Sequence, residues 1–230
     1  MHTQDRTGLA IILSLIALLL FDGMGLIIKH LSGEYSAPEL TAWRNLFGFV
    51  PTLIALWSSS DWHLGGKSLK VRQWKLALSR GVIVTFAQLF FYISLGLMAF
   101  ATASTISYAT ALFTTALAIP ILGERVGLIR WSAVLAGFLG FVLIIQPGTE
   151  DFSAYAFLPL AAAALYALVG VTSRLFDDEV PSAVLNLYSS FSSVLGSALI
   201  TYFWGDFRMI ASATDMGWII LMGGLGGTAV

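Results

Sequence analysis

Long apolar stretches separated by short polar turns run along the whole chain. A helix that crosses the hydrocarbon core of a bilayer needs about 20 mostly apolar residues in succession. The stretches of about that length are Leu9–His30, Pro38–Trp57, Leu76–Leu97, Thr102–Leu122, Leu128–Gln146, Ala154–Ser173 and Ser182–Phe203, followed by an incomplete one at Gly217–Val230. Pro51 and Pro120 lie inside two of them and should bend those helices. The pattern predicts an all-α polytopic membrane protein.

The composition supports this prediction. Of the 230 residues, 57% are hydrophobic and only 11% are charged, whereas a soluble domain carries roughly 25% charged residues. The excess apolar surface must therefore face lipid. The net charge is −1, so no basic surface indicates nucleic acid as a partner, and the lack of cysteine excludes disulfides and thiolate metal sites. The first apolar run is too long for the core of a signal peptide, and we interpret it as a retained helix.

Basic residues concentrate on one side of the predicted membrane, which sets its orientation. With a cytoplasmic N-terminus, the outer side carries Lys29 and Arg208. The inner side then carries Arg6, Lys67, Lys70, Arg72, Lys75, Arg80, Arg125, Arg130 and Arg174. We expect a multi-pass protein of the cell membrane, the inner membrane if the source is a bacterium. The basic residues of the 67–75 segment are explained by this topology and by contact with anionic lipid headgroups.

A weak internal repeat divides the chain. The segment Ile28–Leu31 ends one helix with a basic residue, and Ala37–Leu40 opens the next with a proline. The same order recurs in Ser173–Phe176 and Val180–Ala183. Five spans separate the two copies, and because that number is odd the second copy must be inverted. Inverted repeats of this kind place a substrate site near the bilayer midplane of many secondary transporters.

The region around the fourth and fifth stretches resembles the drug/metabolite transporter superfamily, in its EamA-domain branch. The motifs that carry the resemblance are Phe100–Ser104, Leu122–Arg125, Trp131–Gly140 and Ile144–Gly148, in the order usual for that family. Lys29 and Arg44 also stand where the family often has basic residues. The resemblance extends over nearly the whole chain.

This resemblance implies ten helices in two inverted five-helix units around a central cavity. The first unit would be residues 9–148 and the second residues 153–230, so that about seven and a half of the ten helices are present. We expect the remaining helices in sequence that follows Val230. The implied function is a secondary transporter, an exporter or exchanger of small metabolites such as amino acids, that works by alternating access. The alternatives are a non-transporting truncated membrane protein with a structural role and, less favoured, an intramembrane enzyme.

Two charged residues within spans are the first candidates for the site. Asp22 lies near the middle of the first span, and Arg44 lies six residues into the second. Ionisable groups at such depths are costly and usually functional. Their similar depth predicts an ion pair between them, which would contact substrate or a coupling proton, or would hold the two helices together. Lys29 is expected to extend to the membrane interface.

Uncharged polar and aromatic residues in the spans add further candidates for substrate binding. They are Asn45, Gln88, Tyr92, Tyr108, Asn186 and Tyr188, and Tyr166 is a further mid-span residue of this kind. Hydrogen bonds between helices are the ordinary explanation for each except Tyr108, and two or three are expected to line the cavity. For the larger Tyr108, lining of the cavity is at least as favoured as packing. The small ridge of Ala103, Ser107, Ala111 and Thr115 on the fourth helix is interpreted as packing. A gate or a turn is expected at the end of the fourth helix, formed by Pro120, Glu124 and Arg125. We favour the turn, which would be a capped helix end with an exposed ion pair.

Several kinds of chemistry find no support in the sequence. His2, His30 and His63 lie in the tail, at a helix end and in a loop, so no span offers a histidine base. A second deep aspartate that could form a dyad with Asp22 is lacking. We therefore predict no catalytic residues, no metal site and no cofactor. Since no ATP-binding element is present, transport would use an electrochemical gradient, for which protons are a candidate. The sequence leaves the oligomeric state open.

Overall fold

The computed structural model describes residues 2–124, 127–145, 153–176, 180–204 and 208–228. These residues form α-helices and short 3₁₀ turns, and they contain no β-strand. The helices are α1 (His2–Leu31), α2 (Ala37–Ser58), α3 (Ser60–Leu64), α4 (Trp74–Leu97), α5 (Phe100–Ser107), α6 (Thr110–Leu122), α7 (Leu128–Ile145), α8 (Phe157–Thr172), α9 (Ser182–Trp204) and α10 (Ala213–Thr228). The prediction of an all-α polytopic membrane protein is confirmed.

Five segments within the described residues are long and apolar enough to cross a membrane. They are Ile12–Leu31, Trp74–Leu97, Phe100–Leu122, Ala154–Leu175 and Ser182–Trp204. The other predicted stretches are also helical, as α2, α7 and α10. Large aliphatic side chains on α1 are exposed, with Leu19 at 71%. Such exposure is favourable in lipid and unfavourable in water, so the chain is a multi-pass membrane protein.

The fourth span is not one continuous helix, as the sequence predicted, but is interrupted between α5 and α6. The Thr110 hydroxyl donates to the Ser107 carbonyl at 2.7 Å, which is the oxygen that the Ala111 N–H would bond in a regular α-helix. The Ala111 N–H instead donates to the Tyr108 carbonyl at 3.2 Å. A hydroxyl that competes for a main-chain carbonyl is a known cause of local helix distortion.

Hydrogen bonds fix the relative directions of α4 and α9. The Ser189 hydroxyl donates to the Ala77 carbonyl at 3.2 Å, and the Ser193 hydroxyl donates to the Gly81 carbonyl at 2.9 Å. Both pairs are separated by 112 residues, so the two helices run parallel. A Cβ atom at Gly81 would meet the Ser189 carbonyl oxygen directly. The glycine thus allows the two backbones to touch.

The helix α2 packs against both α9 and α10. The Thr201 hydroxyl of α9 donates to the Pro38 carbonyl at 2.9 Å, and the Asn45 amide donates to the Ser193 carbonyl at 3.4 Å. As the residue number rises on α2 it falls on α9, so these two helices are antiparallel. By contrast, α2 and α10 run parallel. The Tyr35 hydroxyl, just before α2, bonds Asp215, and Arg44 bonds the Gly226 carbonyl, so the residue numbers rise together along both helices.

Glycines bring the backbones of α2 and α10 into contact. A Cβ atom at Gly48 would lie 3.2 Å from the Gly223 carbonyl oxygen, and one at Gly227 would lie 2.6 Å from the Gly48 carbonyl oxygen. Small residues at such crossings are typical of helix packing in membranes. The glycine-rich stretch near the C-terminus is therefore part of a helix–helix interface, which agrees with its interpretation as a membrane helix.

Candidate functional site

A polar cavity of about 170 Å³ lies between α1, α2, α4, α8, α9 and α10. Its polar lining comprises Arg44, Asn45, Thr52, Arg80, Gln88, Tyr166, Asn186, Ser189, Ser190 and Ser193. Polar groups are rare in the middle of membrane helices unless they face one another or a water-filled space. Four of these helices, α2, α4, α8 and α9, therefore direct polar positions toward one interior volume, which we call the central cavity.

Two apolar clusters bracket the central cavity along the helix axes. One cluster includes Ile28, Leu40 and Leu95, which lie beyond the cavity toward the end of α1. The other includes Leu56 and Val184 at the opposite end of the same helices. The polar residues of α2 fall between Leu40 and Leu56, so the cavity lies between two regions of packed apolar side chains.

Arg44 provides a positive charge in the central cavity. One terminal nitrogen donates to the Gly226 carbonyl at 2.7 Å, and the other donates to Asn45 Oδ1 at 3.0 Å. The Nε atom is buried and has no hydrogen-bond partner in the part of the chain that the structure describes. A Cβ atom at Gly226 would lie 2.6 Å from this Nε. Glycine at that position therefore makes room for the guanidinium.

The Ser193 carbonyl is the point at which α2, α4 and α9 meet. It accepts hydrogen bonds from the Asn45 amide and from the Thr85 hydroxyl, both at 3.4 Å. The Thr85 hydroxyl also bonds the Gly81 carbonyl of its own helix at 2.9 Å. Next to this group, the Thr52 and Ser190 hydroxyls lie 3.3 Å apart. Hydroxyls and an amide thus hold the three helices in register around the cavity.

Two further groups of α4 that line the central cavity have unused hydrogen-bonding capacity. Gln88 Oε1 and Arg80 Nε are buried without a partner among the described residues. The Arg80 guanidinium lies 5.4 Å from the centre of the Phe176 ring. One turn beyond Gln88, the Tyr92 side chain is only 1% exposed and its hydroxyl also lacks a partner. Buried polar atoms usually find partners, so these exceptions point to a ligand or to water.

Asp22 does not pair with Arg44, and that prediction is wrong. No salt bridge joins these two described side chains, and Asp22 instead accepts a hydrogen bond from the Tyr108 hydroxyl at 3.5 Å. Both residues line a second pocket, of about 430 Å³, beside the break between α5 and α6. Counting residues along the span predicts a depth for Asp22 similar to that of Arg44, but the position of Asp22 around the helix axis directs it toward Tyr108.

Two aromatic side chains separate the second pocket from the central cavity. Phe21 and Tyr166 line both spaces. Their rings lie edge to face, with centroids 6.3 Å apart and an interplanar angle of 84°, which is a favoured geometry for aromatic pairs. The carboxylate of Asp22 and the guanidinium of Arg44 therefore occupy two compartments that share an aromatic wall.

The structure brings together half of the predicted substrate-binding residues. Those that line the central cavity are Arg44, Asn45, Gln88 and Asn186. Tyr92 lies on the same helix as Gln88, and Asp22 and Tyr108 line the second pocket. Tyr188 is placed elsewhere, because its exposed hydroxyl donates to the Leu69 carbonyl at 3.0 Å in the segment before α4.

The segment at the end of α6 has the form of a turn. Pro120 lies inside α6, and Gly123 follows in the left-handed region at φ 68°, which closes the helix. The Glu124 carboxylate forms a salt bridge of 2.6 Å with Arg174, just after α8. Arg125 lies outside the described residues. The ion pair therefore connects two distant parts of the chain, α6 and α8, which also pack against each other.

Lys29 bonds the end of a neighbouring helix. Its ammonium donates to the Leu95 carbonyl at 2.7 Å and to the Met98 carbonyl at 3.0 Å. These oxygens belong to the C-terminal end of α4, where carbonyls lack partners within the helix. A positive charge there also interacts favourably with the helix dipole. Lys29 thus caps α4.

Sequence reasoning missed most hydroxyls of the central cavity. The sequence analysis does not predict a role for four hydroxyl residues of the wall, which are Thr52, Ser189, Ser190 and Ser193. The three serines recur at three- and four-residue spacing on one face of α9. That spacing was the available signal. Arg80 was assigned to the inner loops because it is basic and near a helix start. Within the described residues, no group of three or more His, Asp or Glu side chains could hold a metal ion.

Comparison with known proteins identifies related sequences. The sequence model of the EamA-like transporter family matches residues 8–146. The S-adenosylmethionine uptake transporter of Rickettsia prowazekii (strain Madrid E) is 27% identical over 135 residues, which cover 59% of this chain and 46% of that protein. The pseudopaline exporter of Pseudomonas aeruginosa (strain UCBPP-PA14) is 22% identical over 220 residues, which cover 95% of this chain and 75% of that protein.

A shorter match involves a riboflavin transporter of Vibrio cholerae serotype O1, which is 35% identical over 65 residues, 28% of this chain and 22% of that protein. The chain spans about half the length of the S-adenosylmethionine uptake transporters that it matches. All three relatives are named as transporters, one of them for uptake and one for export.

Proposed function

Because the chain belongs to the EamA-like transporter family, we propose that it is a secondary transporter of small metabolites such as amino acids. It moves them outward or in exchange, by alternating access around the central cavity. The resemblance to the drug/metabolite transporter superfamily is confirmed, and the names of the family and of its relatives indicate a transporter and not an enzyme.

The observation that carries the proposal is the partly buried guanidinium of Arg44 in the wall of the central cavity. A charged side chain at such a depth costs several kcal/mol unless it faces water, a partner or a ligand. Its partners among the described residues are a main-chain carbonyl and an amide oxygen, and its buried Nε has none. A purely structural role would be served better by a carboxylate partner. A site that must bind and then release a charged group has to leave part of the guanidinium unpaired.

The arrangement of the helices supports two inverted units, 9–148 and 153–230, as the basis of alternating access. If α2 corresponds to α9 and α4 to α10, the parallel pair α4–α9 has its counterpart in the parallel pair α10–α2. Likewise the contact of α4 with α8 corresponds to the contact of α10 with α1. The family match, which ends at residue 146, also supports a boundary near the end of the first unit.

Coupling to protons is part of the proposal and depends on Asp22. Its carboxylate lies in the second pocket beside the broken fourth span. Broken helices next to a site near the midplane are common in secondary transporters. Replacing Asp22 by Asn should abolish any stimulation of transport by a pH gradient, whereas exchange between equal solute concentrations should continue. Stimulation that persists in D22N would contradict this role of Asp22.

The orientation remains the one that the basic residues predict, with a cytoplasmic N-terminus in the cell membrane, the inner membrane of a bacterium. Cysteine substitution at exposed positions can test it, because the chain has no native cysteine. Lys70→Cys should react only with reagents that enter the cytoplasm, and Met209→Cys should react with impermeant reagents added outside. The reverse labelling pattern would invert the topology.

The transport proposal can be tested with the full chain in proteoliposomes. Counterflow of labelled amino acids should be saturable and should exceed that of protein-free liposomes, with and without a pH gradient. Arg44→Gln, reconstituted to the same level, should reduce the rate at least tenfold because it removes the charge from the cavity. Failure of the chain to move any member of a broad panel of amino acids and other small metabolites would refute the proposal.

A further inference from the structure

All formal charges on the wall of the central cavity have the same sign. Arg44 and Arg80 both line it, and no Asp or Glu is among the described residues of its wall. A guanidinium stays protonated at any pH that the protein experiences. Positive charges without a counter-ion in a medium of low dielectric constant strongly favour binding of an anion. The wall therefore offers a site for a negatively charged group.

The donors of Arg44 are only partly used. A guanidinium has five N–H donors, and the structure assigns one to the Gly226 carbonyl and one to Asn45 Oδ1. The buried Nε has no partner among the described residues. Guanidinium groups bind carboxylates with two parallel hydrogen bonds, which Lys cannot reproduce. Of the five donors, three are therefore left for a bound carboxylate.

An unused acceptor lies about one helical turn beyond Arg44 in depth along the helix axes. The Ser193 carbonyl bonds both Asn45 and Thr85, so Arg44 and Thr85 lie at similar depth. Gln88 comes three residues later on α4, which is about 4.5 Å along the axis. Its Oε1 atom is buried, has no hydrogen-bond partner among the described residues, and belongs to a residue of the cavity wall. A donor on the bound solute would satisfy it.

The volume of the central cavity limits the size of the solute. Its 170 Å³ would hold about five or six water molecules at roughly 30 Å³ each. Pockets for drug-sized ligands measure roughly 300–1,000 Å³. The conformation that the structure shows is therefore suited to a solute with few non-hydrogen atoms.

From these observations, and resting on the transport function proposed above, we propose that the solute is a small carboxylate with a hydroxyl or amino group next to the carboxylate. Arg44 binds the carboxylate, and Gln88 Oε1 accepts a hydrogen bond from the neighbouring hydroxyl or amino group. Arg80, five residues before Thr85 on α4, adds positive potential that draws anions toward the site.

Matched solutes test each half of this proposal. Lactate and lactamide differ in the charged group, as do alanine and alaninamide, whereas lactate and propionate differ in the hydroxyl. Binding is measured from the ligand-induced rise in the thermal unfolding midpoint of the full chain in detergent, and transport from counterflow in proteoliposomes. We expect lactate and alanine to bind at least tenfold more tightly than the two amides. Propionate should bind about threefold to tenfold more weakly than lactate.

Variants assign the two interactions to their residues. Arg44→Lys keeps the charge but loses the paired donors, so lactate binding should weaken at least tenfold, whereas the exposed Arg72→Lys should leave it unchanged. Gln88→Met should abolish the difference between lactate and propionate while the preference for acid over amide persists. Because Gln88→Met keeps Arg44 in place, it provides a test even if Arg44→Lys does not fold.

The outcomes separate this proposal from the transport function. Equal binding of acids and amides, stronger binding of a phosphate ester such as glycerol phosphate, or no binding of any carboxylate would overturn the carboxylate proposal. Counterflow of neutral or cationic solutes would at the same time leave the transporter assignment intact. Binding of carboxylates that depends on Arg44, without transport of any solute, would instead uphold the binding site and refute the transport function.

Discussion

The contact between α4 and α9 at Gly81 allows a quantitative prediction for Gly81→Ala. The added Cβ atom would lie 2.7 Å from the Ser192 Cβ and would meet the Ser189 carbonyl oxygen. Carbon atoms prefer a separation of about 3.5–4.0 Å, so the helices must move apart by roughly 1 Å. The hydrogen bonds from Ser189 and Ser193 to α4, at 3.2 and 2.9 Å, would then exceed the usual limit.

The expected loss of stability follows from three terms. Overpacking costs about 1–3 kcal/mol, and two hydrogen bonds between membrane helices contribute about 0.6 kcal/mol each. Replacing glycine by alanine within a helix returns about 1 kcal/mol. The net loss for Gly81→Ala is about 1–3 kcal/mol, and since 1 kcal/mol shifts the midpoint by about 2–4 °C in a chain of this size, the unfolding midpoint should fall by roughly 2–12 °C.

The same helix supplies a matched control. Gly96 is exposed, and a Cβ atom there would have no neighbour within 4 Å. Thermal unfolding of Gly81→Ala, Gly96→Ala and the unaltered protein in one detergent would measure the effect, with no decrease expected for Gly96→Ala. Equal midpoints for the two variants would refute the close approach of α4 and α9 at Gly81.

Two ionic contacts give further predictions, a large loss of stability at Lys29 and a small one at Glu124. Lys29→Met removes two hydrogen bonds from an ammonium to the end of α4, each worth about 1.5–3 kcal/mol. The unfolding midpoint should therefore fall by at least about 6 °C, whereas the exposed Lys70→Met should not lower it. A midpoint unchanged in Lys29→Met would show that the cap contributes nothing. Glu124→Gln removes the salt bridge to Arg174. Because the Glu124 and Arg174 side chains are 30% and 60% exposed, the loss of unfolding free energy should stay below about 1 kcal/mol. The difference in stability between Glu124→Gln and the unaltered protein should vanish in 1 M salt, where the screening length is about 3 Å. A large loss of stability that is insensitive to salt would contradict an exposed ion pair at this position.

The positions of the helices could be predicted because hydropathy reports the length of a membrane span directly. The predicted span at Ala154–Ser173 differs by only two residues at its end from the observed apolar segment Ala154–Leu175. The break between α5 and α6 could not be predicted in this way. It depends on which donor the Ser107 carbonyl accepts, and the Thr110 hydroxyl that wins this competition is equally compatible with a continuous helix in the sequence.

The candidate site was predictable where a side chain is unambiguously polar. Arg44, Asn45 and Gln88 stand out in apolar surroundings, and all three line the central cavity. Serines such as Ser193 are less informative, because a hydroxyl can satisfy itself on its own helix at little cost. The direction in which Asp22 faces depends on rotation about the axis of α1, and residue counting along a span gives depth but not rotation.

The glycine contact between α2 and α10 has a consequence for motion. Where Gly48 meets Gly223 and Gly227, main chain touches main chain. A side chain can change rotamer to absorb a small sliding movement, but a backbone carbonyl against a glycine Cα has no such freedom. Because this contact fits one register, we expect α2 and α10 to move as a single body. Arg44 would then keep its position relative to the Gly226 carbonyl that it binds, and the proposed opening of the cavity would occur at its other walls.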